Sequence, residues 1–189
     1  MKLYETYVII KLIKCTYKKK DSNMDINEKK NSVDFGNNNS CIGDFAFVLK
    51  IEDKDNELKI LFSGACEGEK GSDIDTELND TIIESLADSF PVYPNPNEIY
   101  EITFTAYITY QVRNESYSSY DENEIRSGKW LILFEKSKFL DYFQNVTDCC
   151  QFEDNSFYPG EWKHYGIYGE DHIIDVITHE KPVIKKISM

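Results

Sequence analysis

The three histidines of the chain, His164, His172 and His179, all lie near its C-terminal end, on either side of Asp175. An imidazole beside a carboxylate is the general base with its orienting acid in nucleophilic catalysis. Imidazoles and a carboxylate are also the ligand types that zinc prefers. This group is therefore where the sequence would carry general-base or metal chemistry.

The residues around the histidines predict a β-hairpin. Residues 162–168 and 171–178 are two runs of aromatic and β-branched residues, which favour strands. Gly169-Glu170 separates them and suits a two-residue type II′ turn, because glycine tolerates the positive φ of the first central position. The sequence thus predicts two strands joined by this dipeptide.

The hairpin register decides which polar side chains can meet. A turn at Gly169-Glu170 places His164 opposite Asp175, with about 5 Å between their Cβ atoms, close enough for a charge-assisted hydrogen bond. His172 falls on the other face of the hairpin, and His179 lies roughly 13 Å along the strand from Asp175. The register therefore favours a single His164–Asp175 pair, and no metal site is predicted.

The sequence does not identify a nucleophile for this pair. There is no G-x-S-x-G motif, and Cys149 and Cys150 have no local activating signature. Two interpretations remain: a structural cross-strand pair, which we favour, or a small hydrolase or metal-dependent enzyme that uses His164, Asp175 and His172.

Residues 64–72 form a glycine-rich stretch between a predicted strand and a predicted helix, which is where phosphate-binding loops occur. The motif for such a loop is absent, since Lys70 precedes the glycine instead of following it, and Glu67, Glu69 and Asp73 would repel phosphate. Calcium could bind these carboxylates, but the alternating oxygen ligands of a calcium loop are missing. An acidic surface loop is the better interpretation, and no cofactor is predicted.

The net charge constrains the choice of partner. The chain of 189 residues carries a formal charge of −13, although its first 40 residues hold eight lysines against five acids. An acidic body repels phosphate backbones, so direct binding of DNA or RNA is disfavoured and a basic protein partner is favoured. The alternative is that the charge only keeps a tyrosine-rich chain soluble.

Several of the 13 tyrosines fall in polar surroundings where we expect exposure. Tyrosine is enriched at protein interfaces because it offers contact area with little entropy to lose. Carboxylates nearby would steer a basic partner toward such anchors. The predicted binding residues are Tyr107, Tyr117, Tyr120, Glu67, Glu69 and Asp73.

The elements that must position these residues indicate an α+β fold. We predict about seven strands, mainly in an antiparallel sheet, including a long strand from Tyr100 to Val112 whose even positions are apolar. Apolar residues at helical spacing predict one long amphipathic helix at about 73–90, covering one face of the sheet. A short helix is predicted near 137–146, capped by Ser137.

The length suits one domain spanning 1–189. It would contain a polar, mobile insertion at about 18–40 and a polar loop at about 113–128. Residues 3–17 predict a further strand. The odd number of cysteines, the absence of a signal-peptide pattern and the lack of an 18-residue apolar segment together predict a cytoplasmic protein outside the membrane.

These observations favour a non-enzymatic, acidic, cytosolic protein-binding module, whose partner is basic or itself binds nucleic acid. In charge and size the chain is similar to the small acidic immunity or inhibitor proteins that bacteria make against nuclease-like toxins. That likeness is an analogy without a shared motif.

Overall fold

The protein is described here by a computed structural model, which covers residues 33–71 and 79–187. Contacts divide these residues into two compact units, a smaller one of residues 66–71 and 79–93 and a larger one of residues 33–65 and 94–187. The predicted strand at 3–17 and most of the predicted insertion at 18–40 lie outside the described residues. The single-domain organisation stays a prediction.

The described residues are mainly antiparallel β-sheet. They contain eleven strands rather than about seven, and two α-helices. The elements are β1 (Ala46–Lys54), β2 (Glu57–Glu67), α1 (Asp80–Leu86), β3 (Val92–Phe104), β4 (Tyr107–Asn114), β5 (Ile125–Ser127), β6 (Leu131–Lys136), α2 (Lys138–Val146), β7 (Cys150–Gln151), β8 (Phe157–Tyr158), β9 (Lys163–Tyr168), β10 (His172–Thr178) and β11 (Val183–Ile187), with 3-10 turns at Ser40–Ile42 and Glu115–Tyr117.

Two sheets build the larger unit. One has the strand order β1-β2-β3-β11 and the other the order β4-β10-β9-β6-β5, while β7 and β8 form a separate ribbon. The sheets share one apolar core, in which the ring of Phe104 from β3 meets the ring of Tyr165 from β9 edge to face at 6.0 Å. Fully buried core residues such as Phe62 and Ile174 each stabilise the fold by roughly 1.5–3 kcal/mol.

The predicted strand from Tyr100 to Val112 is two strands in different sheets. The chain bends at Thr105 and Ala106, so β3 belongs to the four-stranded sheet and β4 to the five-stranded one. Apolar and polar residues alternate on both sides of the bend, but this alternation does not indicate that the chain passes from one sheet to the other. Val112, predicted to be packed, is exposed at the edge strand β4.

The long helix predicted at about 73–90 is wrong for the residues that the structure describes. Helix α1 has seven residues, and its N-cap is Asn79, whose side chain accepts a hydrogen bond from the Ile82 amide at 3.0 Å. It ends at Leu86, whose carbonyl accepts from both the amide and the hydroxyl of Ser89. Asparagine and serine bind nearby backbone groups and so interrupt a helical pattern that apolar spacing alone would continue.

Helix α2 covers the outer face of the five-stranded sheet, the face turned away from the shared core. Its Phe139 and Phe143 pack in a separate apolar cluster with Ile177 of β10. The ring of Trp162 meets Phe143 edge to face at 5.2 Å. The predicted short helix near 137–146 is therefore present, with Ser137 as its N-cap.

The end of the predicted polar insertion is ordered within the larger unit. Phe35 is buried and its ring lies 4.8 Å from that of Tyr165. The Asn39 amide donates hydrogen bonds to the carbonyls of Asp34, Asn37 and Lys129. Residues 33–40 thus pack against the sheets instead of forming an isolated loop.

Candidate functional site

The hairpin of β9 and β10 holds His164 and Asp175, but not in the predicted register. Tyr168 pairs with Ile173 and Ile177 pairs with His164, so four residues join the strands instead of two. The Gly169 amide donates to the His172 carbonyl at 2.8 Å inside this wider turn. The predicted turn at Gly169-Glu170 is therefore wrong.

The error of two residues leaves the face of every side chain unchanged, because strand side chains alternate with a period of two. His164 and Asp175 are diagonal rather than direct neighbours. His164 Nε2 still lies 3.0 Å from Asp175 Oδ1, so the predicted hydrogen bond is present. Gly166 is the residue directly opposite Asp175.

Gly166 makes room for the aromatic rings around this pair. A Cβ at position 166 would lie 2.9 Å from both the Phe134 and the Tyr168 rings. Such contacts are shorter than real Cβ atoms make, so only glycine fits between them. The Phe134 ring can then stack on His164, with 4.1 Å between ring centroids and an angle of 7° between planes.

Ser137 occupies the second nitrogen of His164. Its Oγ lies 2.8 Å from His164 Nδ1 and also accepts the Leu140 amide at 3.0 Å as the N-cap of α2. The hydroxyl proton of Ser137 is therefore donated to Nδ1, and Nε2–H is donated to Asp175. Both ring nitrogens of His164 thus have a hydrogen-bond partner.

Asp175 receives hydrogen bonds from three side chains. Its Oδ2 accepts from Gln111 Nε2 at 2.9 Å and from Arg113 Nη2 at 2.9 Å and Nε at 3.1 Å. Burial alone would raise the pKa of this carboxyl, but the hydrogen bond from His164, with Arg113 and Gln111, outweighs it and holds the pKa below its ordinary value. Asp175 is thus an ionised carboxylate at neutral pH.

Ser137, His164 and Asp175 stand in the order of a nucleophile, a base and an orienting acid, but they are deeply buried. All three residues are only 1% exposed. An adjoining cavity of about 150 Å³ is lined by His164, Asp175 and Arg113, whereas Ser137 lines a separate cavity of about 560 Å³. Serine also binds Nδ1 here, whereas serine hydrolases use Nε2. The geometry is that of a buried chain that fixes α2 to the sheet.

The other two histidines do not join this chain. His172 is exposed and lies on the opposite face of β10. His179 packs beside Gly160, and its Nδ1 is buried without a hydrogen-bond partner in the described part of the chain. Within residues 33–71 and 79–187, no group of three histidine, cysteine or acidic side chains could hold a metal ion.

The predicted binding residues differ in their surroundings. Tyr107 packs against the core between the sheets, and its hydroxyl donates to Asp53 at 2.8 Å. Tyr117 is 82% exposed and Tyr120 is 59% exposed. In the smaller unit, Glu67 and Glu69 are exposed, whereas Asp73 lies outside the described residues.

Tyr120 belongs to a groove that the sequence did not predict, which we call the aromatic groove. Its volume is about 380 Å³, and its aromatic and basic lining consists of Tyr120, Arg126, Lys129, Trp130 and Tyr168. The Arg126 guanidinium lies 4.7 Å from the Tyr120 ring centroid and 5.7 Å from that of Tyr168. Burial, with the nearby Asp175 charge, raises the pKa of Tyr168 to about 12.

Trp130 enters the groove from a strained backbone. Its φ is +68°, and the Leu131 amide donates to the Lys129 carbonyl across it at 2.8 Å, which makes a γ-turn with positive φ. This turn is rare and costs of order 1–3 kcal/mol for a bulky residue. The indole Nε1 donates to the Gly43 carbonyl at 3.0 Å, which orients the ring. Backbone strain of this kind is common at binding sites, where it holds a side chain in position for a ligand.

The arginines were the signal that sequence reasoning missed. The chain has 21 basic residues, of which only Arg113 and Arg126 are arginine. Arginine differs from lysine in binding carboxylates through two nitrogens and in stacking on aromatic rings. Arg113 binds the Asp175 carboxylate through two nitrogens. Arg126 stacks on the rings of Tyr120 and Tyr168.

In comparisons with protein families, with curated proteins and with solved structures, none matches this chain. No helix among the described residues has both the length and the apolar character needed to cross a membrane.

Proposed function

We propose that this chain is a non-enzymatic cytosolic protein-binding module, and that it contacts its partner through the aromatic groove. The observation that carries this proposal is the clustering of Tyr120, Arg126 and Trp130 in one groove of about 380 Å³. Tyrosine, tryptophan and arginine are the residues most enriched at the energetic centres of protein interfaces. The strained backbone at Trp130 adds to this, because it presents the indole at a cost to stability.

The charge of the chain supports a basic partner. With a net charge of −13, the chain would attract a basic or nucleic-acid-binding protein and speed its diffusional encounter. The aromatic side chains would then supply most of the affinity. An inhibitor or immunity-type role is the form of this function that size and charge favour.

Site-specific photo-crosslinking tests the proposal. A benzoylphenylalanine in place of Tyr120 should yield a discrete adduct with a basic protein in the native cell. The matched control is the same replacement at Tyr142, which lies on α2 and is 60% exposed, against 59% for Tyr120. The adduct should form at position 120 but not at 142, and Trp130→Ala should abolish it.

Equal crosslinking at positions 120 and 142, or none at either, would contradict the proposed binding face. An adduct that survives Trp130→Ala would show that the groove does not determine binding. A partner with a low isoelectric point would remove the charge argument while leaving the groove in place.

A hydrolase is the second candidate, and the Ser137–His164–Asp175 chain is the observation that favours it. A fluorophosphonate probe labels activated serines and provides the test. We expect no labelling, because the Ser137 hydroxyl is buried and caps α2. Labelling that disappears in Ser137→Ala while the fold remains intact would establish the enzyme and displace the binding module.

A further inference from the structure

We propose that the aromatic groove is a cage for a cationic side chain of the partner, and that Arg126 of this chain occupies it in the free protein. This inference rests on the proposed function and names the chemical group that the groove would take. The occupant is a lysine or arginine side chain on a basic protein.

Each aromatic ring of the groove already faces a positive charge. Arg126 lies over the rings of Tyr120 and Tyr168, and Lys129 Nζ lies 5.0 Å from the Trp130 ring centroid. Cations within about 6 Å of a ring face are attracted by the ring quadrupole. The protein itself therefore shows that these faces attract cations.

Arg126 and Lys129 are held very differently. Lys129 Nζ donates to the Gly43 carbonyl and to Asp44 Oδ1, each at 3.1 Å. Arg126 makes no ion pair in the described part of the chain and lies on the exposed edge strand β5. Its stacking on the two tyrosines is worth only about 0.5–1 kcal/mol per ring at an exposed site. Arg126 is thus the cation that a partner can displace.

The charge of the chain favours a cationic occupant over an anionic one. A partner's lysine or arginine would approach a chain whose net charge is −13. An acidic peptide would be repelled by that charge, so Arg126 is better explained as an internal occupant of the groove than as an anion receptor.

The experiment is a titration followed by the NMR signal of the Trp130 indole Nε1–H. The probes are acetyl-arginine amide, its neutral isostere acetyl-citrulline amide and, as the anionic arm, acetyl-aspartate amide. Each is added to the full-length wild type, to Arg126→Ala and to Arg126→Ala with Tyr120→Ala. Lys185→Ala is the matched control, since it removes one exposed positive charge from β11.

We expect the arginine probe to bind Arg126→Ala about fivefold more tightly than the wild type, because the internal competitor is gone. The citrulline probe should bind neither protein. Adding Tyr120→Ala to Arg126→Ala should abolish binding of the arginine probe. Lys185→Ala should bind the arginine probe as the wild type does.

Three results would overturn the inference. Equal affinity of the arginine probe for wild type and Arg126→Ala would show that Arg126 is not a competitor. Binding of the aspartate probe to the wild type, lost in Arg126→Ala, would make the groove an anion site. No binding of the arginine probe to Arg126→Ala would remove the cage. If the arginine probe does not bind, a Trp130-dependent crosslink at position 120 would still support the proposed function. If the probe binds but no crosslink forms, the cage would stand and the protein partner would not.

Discussion

Ser137 connects two elements through one hydroxyl group. Its Oγ accepts a hydrogen bond from the Leu140 amide in the first turn of α2, and donates one to His164 of β9. Position 137 therefore couples the start of a helix to the central hairpin of the sheet beneath it. Serine is suited to this, because a hydroxyl both donates and accepts in a small volume.

Ser137→Ala should lower the free energy of unfolding by about 2–4 kcal/mol. Loss of an N-cap costs about 1 kcal/mol, and a buried imidazole nitrogen left without its donor costs about 1–3 kcal/mol more. Urea unfolding measures the change. Asn79→Ala is the matched control, since it removes the N-cap of α1 without opening a buried hydrogen bond, and should cost about 1 kcal/mol. Equal losses in the two variants would contradict the role of Ser137 in the buried chain.

Asp175→Asn should destabilise the fold by about 2–3 kcal/mol at pH 7. Breaking a fully buried ion pair costs about 3–5 kcal/mol, but the Arg113 side chain is 37% exposed and water reduces the penalty. Urea unfolding of the variant beside the wild type gives the difference.

The same variant has a predictable pH dependence. The folded-state pKa of Asp175 is lowered, so the contacts of its carboxylate stabilise the protein fully above the unfolded value of about 3.9. This stabilisation is lost as the pH falls through the folded pKa. The difference between wild type and Asp175→Asn should therefore be constant near neutrality and shrink below about pH 4. A difference that stays constant down to acid unfolding would mean that the charge of Asp175 contributes nothing.

The contact between His164 and Asp175 could be predicted from sequence, whereas the rest of the buried chain could not. Both residues lie in one hairpin, so the alternation of its strands was enough to place them on one face. Ser137 and Gln111 are 27 and 64 residues from their partners in sequence, and no local pattern relates such distant positions. Local reasoning identified Ser137 only as a helix cap.

At the scale of elements, the β9–β10 hairpin shows what a pattern of residues can and cannot determine. Its strands and the faces of its side chains follow from alternation, and they are present in the structure. Turn length depends on backbone hydrogen bonds inside the turn, here Gly169 to His172, which the flanking strands do not encode. Helix α1 shows the same limit, because Asn79 caps the helix at a point where the helical spacing of apolar residues continues in the sequence.

Helix α2 should depend on one aromatic anchor. Phe143 is fully buried against Trp162 and Ile177, so Phe143→Ala should lower the free energy of unfolding by about 3–5 kcal/mol. Tyr142→Ala, at the adjacent but 60% exposed position, should change it by less than about 0.5 kcal/mol. Urea unfolding of both variants measures the contrast. Similar values would show that α2 does not contribute to the core.

At the scale of the whole molecule, the class of fold was partly predictable. Alternating apolar residues indicated an antiparallel sheet, and the described residues are mainly that. The division of the strands into two sheets was not predictable, because the bend at Thr105 and Ala106 leaves no signal in the alternation. The charge of the molecule, by contrast, is fully given by its composition.

Net charge leads to a prediction about salt. The ion pairs between Lys70 and Asp88 and between Lys54 and Asp55 are exposed, and such pairs contribute little. Repulsion within a chain of charge −13 is the larger effect, and salt screens it. Raising sodium chloride from about 10 mM to 150 mM, across which the Debye length falls from about 30 Å to 8 Å, should raise the melting temperature by about 2–4 °C. A lower melting temperature in salt would mean that the surface ion pairs outweigh the repulsion.

The positions of the two tryptophans have a practical consequence. Trp130 lies in the aromatic groove, and Trp162 lies against Phe143 and Phe157 in the cluster beneath α2. Since the chain has no other tryptophan, its intrinsic fluorescence is the sum of one emitter at the proposed binding face and one in the core. Replacing Trp162 by phenylalanine would leave Trp130 as a fluorescent reporter at the proposed binding face. Replacing Trp130 instead would leave Trp162 as a reporter of the cluster beneath α2, and neither variant would need an attached dye.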